Sequence, residues 1–286
     1  MWLALVGCFT LVDDDNQSRF GQLSSDYLVT GTRAVAVRAW PPAAPAGSPR
    51  TAEVLVLGPS PEEVRFDVCG LAPDVATEIV GLACFGIPEE VDRIGVGNPV
   101  RWDVPDASYE DCVPFDTTDT GEWPGAWCTS LVPLRATVTT GDGEVSQVAN
   151  MVVVPDREVP TDAPGFVVQP DPTLPVTLEV QGEVEAGAEV ELLVRFEERG
   201  YELAVWWVTA GELLEFGRTR VDLADPVEGR AYNRLRIPAD HHGPLQVAVV
   251  LQRTDLDDGW VDNDLADDAQ RPTTQPGWAL TTLEVP

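Results

Sequence analysis

Lysine is absent from this chain of 286 residues and histidine occurs only twice, so nearly every side-chain cation is an arginine. Against 18 arginines stand 48 acidic residues, a formal net charge of −30. Self-repulsion of that size keeps a protein soluble, and it argues against a basic patch that would hold nucleic acid or an anionic bilayer surface. Isoleucine is scarce beside alanine, valine, glycine, proline and arginine, the composition of a high-GC genome, so the missing lysine reflects codon usage as readily as physics. No run approaches the roughly 18 apolar residues that a spanning helix needs. The signatures of common catalysts are missing as well: there is no GxSxG elbow, HExxH, P-loop or GxGxxG. The two histidines, His241 and His242, are adjacent and run into Gly243-Pro244, a turn sequence. Neighbours on an extended chain point to opposite sides, which keeps this pair from sharing a metal or acting as base and orienter.

Cysteine is confined to Cys8 and to Cys69, Cys84, Cys112 and Cys128, and the last 158 residues have none. Four clustered cysteines in an exported chain read as two disulfides. The competing structural zinc site lacks both CxxC and Cys-His spacing. Four cysteines allow three connectivities. In the strand around Cys69 the apolar face is Val64, Phe66 and Val68, so Cys69 falls on the opposite face, with Arg65 and Asp67. Local pairs, Cys69–Cys84 and Cys112–Cys128, are expected, with the other two connectivities left open.

Helical periodicity is nearly absent. Short alternating runs separated by Pro, Gly and Asp predict an all-β chain built as sandwiches. In the first half the expected strands are 32–40, 51–57, 63–69, 134–139 and 145–154, the last two flanking the turn Gly141-Asp142-Gly143. Residues 85–130 lose the pattern and are expected to be a long, disulfide-pinned excursion. Residues 156–175 are proline-rich and predict an extended, semi-rigid linker. The plan then restarts, with strands expected at 176–180, 189–196, 202–209, 234–237, 245–251 and 278–285. Val190, Leu192, Val194 and Phe196 should face inward, as should Leu245, Val247, Val249 and Leu251.

Six or seven strands in about 110 residues, with a tryptophan near the third, is similar to the immunoglobulin or fibronectin type III sandwich. The expected architecture is therefore all-β, two tandem Ig-like or fibronectin III-like β-sandwich domains. They span 31–155 and 176–286, behind a signal and tether at 1–30.

The apolar start Leu5-Val6-Gly7-Cys8, followed by Asp13-Asp14-Asp15, resembles the lipobox of bacterial lipoproteins, in which the cysteine is lipidated. Seven residues precede Cys8 and the first arginine is Arg19, so the basic, longer export signal is expected upstream; the alternative is a small buried cysteine in a first strand. The run Thr32-Arg33-Ala34-Val35-Ala36-Val37-Arg38-Ala39-Trp40-Pro41-Pro42 resembles the opening strand of envelope lipoproteins from high-GC Gram-negative bacteria. Trp206-Trp207-Val208-Thr209-Ala210-Gly211-Glu212-Leu213, with Phe216 and Thr219, is similar to their second-domain core strand and turn. The resemblance implies Ig-like domains behind a lipidated Cys8, in the periplasm or at the cell surface, and it implies no activity.

Two stretches carry candidate binding chemistry. Trp123 and Trp127 lie on the segment that Cys112 and Cys128 would pin, where aromatics either form a platform for sugar or protein or cap a thin core. Residues 255–268 hold seven aspartates, among them Asp255, Asp257, Asp258, Asp262 and Asp264. Such oxygen ligands suit Ca²⁺, but an EF-hand register fails at Gly259 and Ala266, and a solvated acidic loop is the competing reading. The expected function is a lipid-anchored binding or structural module of the envelope, without catalytic activity and with no cofactor beyond Ca²⁺. It would meet the membrane through its lipid, and an envelope protein or glycan through its domains. The alternatives are a Ca²⁺-dependent adhesin using residues 255–268 and a glycan-acting envelope enzyme subunit.

Overall fold

The computed structural model describes residues 29, 31–41, 44–69, 91–104, 129–156, 176–196, 203–213, 218–221, 229–253 and 276–286. All regular structure among them is β. The first sandwich comprises β1 (Arg33–Trp40), β2 (Pro49–Leu57), β3 (Glu63–Cys69), β4 (Val91–Val96), β5 (Val100–Asp103), β6 (Thr129–Thr139) and β7 (Val145–Pro155). The second comprises β8 (Thr177–Gln181), β9 (Glu189–Arg195), β10 (Leu203–Thr209), β11 (Glu212–Leu213), β12 (Arg218–Val221), β13 (Arg230–Arg236), β14 (Gly243–Arg253) and β15 (Gly277–Val285).

The two share one wiring. In the first, sheet β1-β2-β5 faces sheet β4-β3-β6-β7; in the second, β11-β13-β9-β8 faces β12-β10-β14-β15. Every ladder is antiparallel, and β11 is a two-residue addition to the edge of the repeated plan. A three-strand layer of first, second and late strands against a four-strand layer is the Ig-like arrangement. The chain is a tandem pair of Ig-like β-sandwiches.

Alternation explains each core. Val64, Phe66 and Val68 of β3 meet Leu134, Ala136 and Val138 of β6, closed over by Val37, Ala52 and Val54 of the facing sheet. In the second sandwich, Val190, Leu192, Val194 and Phe196 are buried as expected, against Leu245, Val247, Val249 and Leu251. Trp207, fully buried, fills the centre from the third strand, the position an Ig-like sandwich gives its tryptophan.

Two expectations need correction. The stretch expected to be irregular between residues 85 and 130 contains β4 and β5, whose four to six residues carry too few alternations to stand out among Asp, Gly and Pro. The strand expected at 234–237 begins earlier, at Arg230, because Arg230, Tyr232, Arg234 and Arg236 line one face while Ala231, Asn233 and Leu235 turn inward. Asp67 lies on the face of β3 opposite Val64, Phe66 and Val68, as expected, yet it is only 2 % exposed. Arg65 Nε at 3.1 Å and Arg135 Nη2 at 2.9 Å donate to its Oδ2, so three charged side chains cover one another on the outer face of the sheet.

The two sandwiches also pack against each other. Val35, Ala36, Leu55 and Leu57 on the outer face of β1-β2 meet Val208, Ala248 and Val250 on the outer face of β10-β14, with Trp206 and Trp278 at the margin. Four sheets are thus stacked in sequence, with an apolar seam between the middle two. Strand β1 serves both layers through a bulge. The pairing shifts between Ala34 and Ala36, which turns Val35 and Ala36 together toward the seam and returns Val37 and Ala39 to the core.

Candidate functional site

The registers divide the block into two unlike ends. At one, short connections join the strands at 58–62, 140–144, 182–188 and 237–242. These turns are tight. Gly143 closes the β6–β7 hairpin at φ 85°, Thr140 donates its hydroxyl to Asp142, and that bond holds the Asp142 carboxyl below its ordinary range. His241 and His242 lie here too and engage different carbonyls, those of Pro244 and Pro286, in keeping with a turn rather than a shared site.

The other end is formed by Trp40, Pro49, Cys69, Val91, Asp103, Thr129 and Pro155 of the first sandwich, and by Thr177, Arg195, Leu203, Val221, Arg230, Arg253 and Gly277 of the second. The two sandwiches point this end the same way. Gly58 N donates to Gln246 Oε1 at 2.7 Å near the tight turns, and the Arg38 guanidinium stacks on Trp278, 3.6 Å from the ring centroid, toward the opposite end. Two contacts so separated along the same strands fix the sandwiches side by side and parallel. From this end depart the connections 70–90, 105–128, 157–175, 197–202, 222–228 and 254–275. Together they hold 26 of the 48 acidic residues and only three of the 18 arginines. The strands hold 14 arginines against 10 acidic residues, so the negative charge belongs to the connecting sequence.

The strand ends that flank nearly every residue singled out from the sequence lie at that end. Cys69 closes β3 opposite Val91, while Cys84, Cys112, Trp123, Trp127 and Cys128 lie outside the described residues, as do Asp255, Asp257, Asp258, Asp262 and Asp264. Cys8 and the disulfide pairings lie outside them likewise. The strand ends flanking all of these but Cys8 share one end of the block. Among the described residues no group of three metal-ligating side chains converges, and no helix is long and apolar enough to cross a membrane.

The floor beneath this end holds a residue that sequence reasoning missed. Arg50 begins the inward row Arg50, Ala52, Val54 on β2, pairs across the ladder with Trp102, and is 1 % exposed. Burial pulls the pKa of its guanidinium down to about 9, well below its ordinary value. The Trp102 indole N–H is buried beside it without a partner among the described residues. A charge at this depth costs free energy that neighbouring interactions must offset. Its sequence signal was the phase of the strand: an arginine two before Ala52 on an alternating run must turn inward.

The seam carries the other unforeseen polar group. Arg38, pinned by Glu53 Oε2 at 2.7 Å across the β1–β2 pair, lies flat on the Trp278 ring. Such a stack contributes about 0.5–2 kcal/mol, more as it is desolvated. Only 14 % of the Arg38 side chain remains exposed. The signal was present in sequence as continuous apolar runs, Val205 to Val208 and Val247 to Leu251, which mark strands buried on both faces.

No family model matches the chain, and no curated protein matches it. Solved structures do match, among them the three N-terminal domains of the bacteriophage RB49 Highly Immunogenic Outer Capsid protein (Hoc), at 12% identity and a TM-score of 0.22. That alignment covers 89% of this chain and 59% of the phage protein structure, so the chain spans about three fifths of its length. At that similarity the match adds nothing to what the strand order establishes.

Proposed function

We propose that this chain is a non-catalytic binding or structural module of a bacterial cell envelope, lipid-anchored at Cys8 and presenting its long, acidic connections away from the membrane. One observation carries the reading. Val29, the first residue described, enters at the tight-turn end, where its N–H donates to the Thr209 carbonyl at 3.0 Å. An anchor reached through Val29 would leave the block at the end opposite the long connections. Between Cys8 and Val29 lie roughly twenty residues, a flexible reach of about 25 Å, enough to hold the block clear of the headgroups. The clustered negative charge favours the same orientation, because an anionic lipid surface repels it.

The test is expression with the native upstream region, followed by fractionation and intact-mass measurement. The wild-type chain should sediment with membranes and carry acyl mass, and Cys8→Ala should be released. Proteolysis of the membrane-bound protein should cut within 254–275 as fast as in the released variant. Equal membrane partitioning of Cys8→Ala would remove the anchor, and protection of 254–275 on the membrane would reverse the orientation.

The gathering of acidic residues at one end favours a second reading, a Ca²⁺-dependent adhesin that uses Asp255, Asp257, Asp258, Asp262 and Asp264. Ca²⁺ at 100 times its dissociation constant would stabilise the folded chain by about 2.7 kcal/mol. Melting midpoints that match in Ca²⁺ and in chelator, at fixed ionic strength, would eliminate it.

A further inference from the structure

Val29 precedes the first strand of the first sandwich, yet its strongest attachment is to the second. It is 7 % exposed and packs in the seam with Val35, Leu57, Val208 and Ala248. Its backbone N–H donates to the carbonyl of Thr209 at the end of β10. Thr209 Oγ1 donates to the carbonyl of Gln246 at 3.0 Å, and Gln246 Oε1 accepts the Gly58 N–H at 2.7 Å. Gly58 lies against Gly31 so closely that a Cβ on it would stand 2.3 Å from the Gly31 carbonyl oxygen. Thr32 Oγ1 then donates to the Pro59 carbonyl at 2.9 Å. The contacts close a circuit from Val29 through Thr209, Gln246 and Gly58 back to Gly31, across three segments remote in sequence. None of these five residues belongs to the apolar core of either sandwich.

We propose that Val29, with Gly31 and Thr32 behind it, is a strap that locks the two sandwiches together, so that their fixed orientation depends on the chain leading into the first domain. The strap occupies the tight-turn end of the seam, while the Arg38–Trp278 stack holds the far end. With the strap withdrawn, the apolar face, the Arg38–Trp278 stack and the Gly58–Gln246 bond beside the gap remain, and the block hinges open from that end. The inference stands whether or not Cys8 carries lipid.

The test uses the full chain and reads amide exchange together with domain alignment by residual dipolar couplings. Val29→Pro deletes the N–H, Val29→Asp places a charge in the seam, and Val29→Leu is the conservative control. In the first two, the Gly58 amide should exchange at least about tenfold faster, as expected for a local opening. The sandwiches should also lose their common alignment, while Leu134 and Leu192 keep their native signals. The control should match wild type. Wild-type exchange at Gly58 with a shared alignment in both variants overturns the strap. Should either variant unfold the first sandwich, Gln246→Ala interrupts the circuit from the other side. It should speed exchange at the Val29 amide by a similar factor, and an unchanged rate there refutes the proposal.

Discussion

The tight-turn end and the long-connection end are built from the same strands yet obey different rules. At the first, each connection is only as long as its geometry needs, and backbones meet so closely that one added carbon has no room, as at Gly58 against Gly31. At the second, beside the short, uncharged 41–48, six connections depart whose sequences hold 26 of the 48 acidic residues. The difference shows where a β-sandwich stores its constraints. Position is fixed at one end and variation is accommodated at the other, which is why binding segments so often sit on connections raised by a rigid scaffold.

The comparison breaks hardest if the strands leading to the long end prove tolerant. Asp67→Ala should cost about 3–5 kcal/mol in urea unfolding, because Arg65 and Arg135 lose the carboxylate that compensates their burial. A loss below 1 kcal/mol would mean that the three charges barely interact. Next comes the tight end. Gly58→Ala adds a Cβ at φ 93° directly onto the Gly31 carbonyl, so a loss of about 2 kcal/mol is expected. An equal alanine at Gly143, whose added Cβ meets nothing within 4 Å, should cost less, since only its φ is unfavourable. At the far margin of the seam, Arg38→Ala should cost about 1 kcal/mol, and Trp278→Phe should recover part of the stack that Trp278→Ala loses. The smallest effect belongs to the connections: replacing 255–268 by a Gly/Ser segment of equal length should shift stability by no more than about 0.5 kcal/mol in chelator. A drop of 2 kcal/mol there would show that this connection is part of the fold.

Acid titration sharpens the contrast in another way. Asp142 is held below its ordinary pKa chiefly by the Thr140 hydroxyl, so its contribution is present above the unfolded carboxyl range and fades as pH falls through the lowered folded value. Chemical-shift titration of Thr140 and Glu144 should report that transition.

Much of the fold was legible in residues that alternate. Leu245, Val247, Val249 and Leu251 announced their inward face, and Gly141-Asp142-Gly143 announced its hairpin. What escaped was the second buried face of the same strands. Ala248 and Val250 interrupt no pattern and therefore looked incidental, although a run with no polar member is what a doubly covered strand must be. Strands β4 and β5 escaped for the opposite reason: four to six residues with Gly95, Arg93 and Asp92 among them give periodicity nothing to grip. The candidate site was legible only as residue types. Trp127 and Asp257 lie on segments without period, and what unites them is where β6 and β14 begin and end, a property of topology that no local pattern encodes.

The bulge at Val35 is a single extra residue, and it acts as a phase converter. Upstream of it β1 is in step with one hydrophobic layer; downstream it is in step again, after giving two consecutive side chains to another. Paired regularly, with the same residues and no bulge, β1 would rotate Arg38 into the core and turn Val37 toward Trp278, so losing that one irregularity would uncouple the seam and corrupt the first sandwich together. Insertions among the long connections have no such reach. Sequence drift in this molecule should therefore be gated at β1, where one bulge lets a single strand serve two interiors.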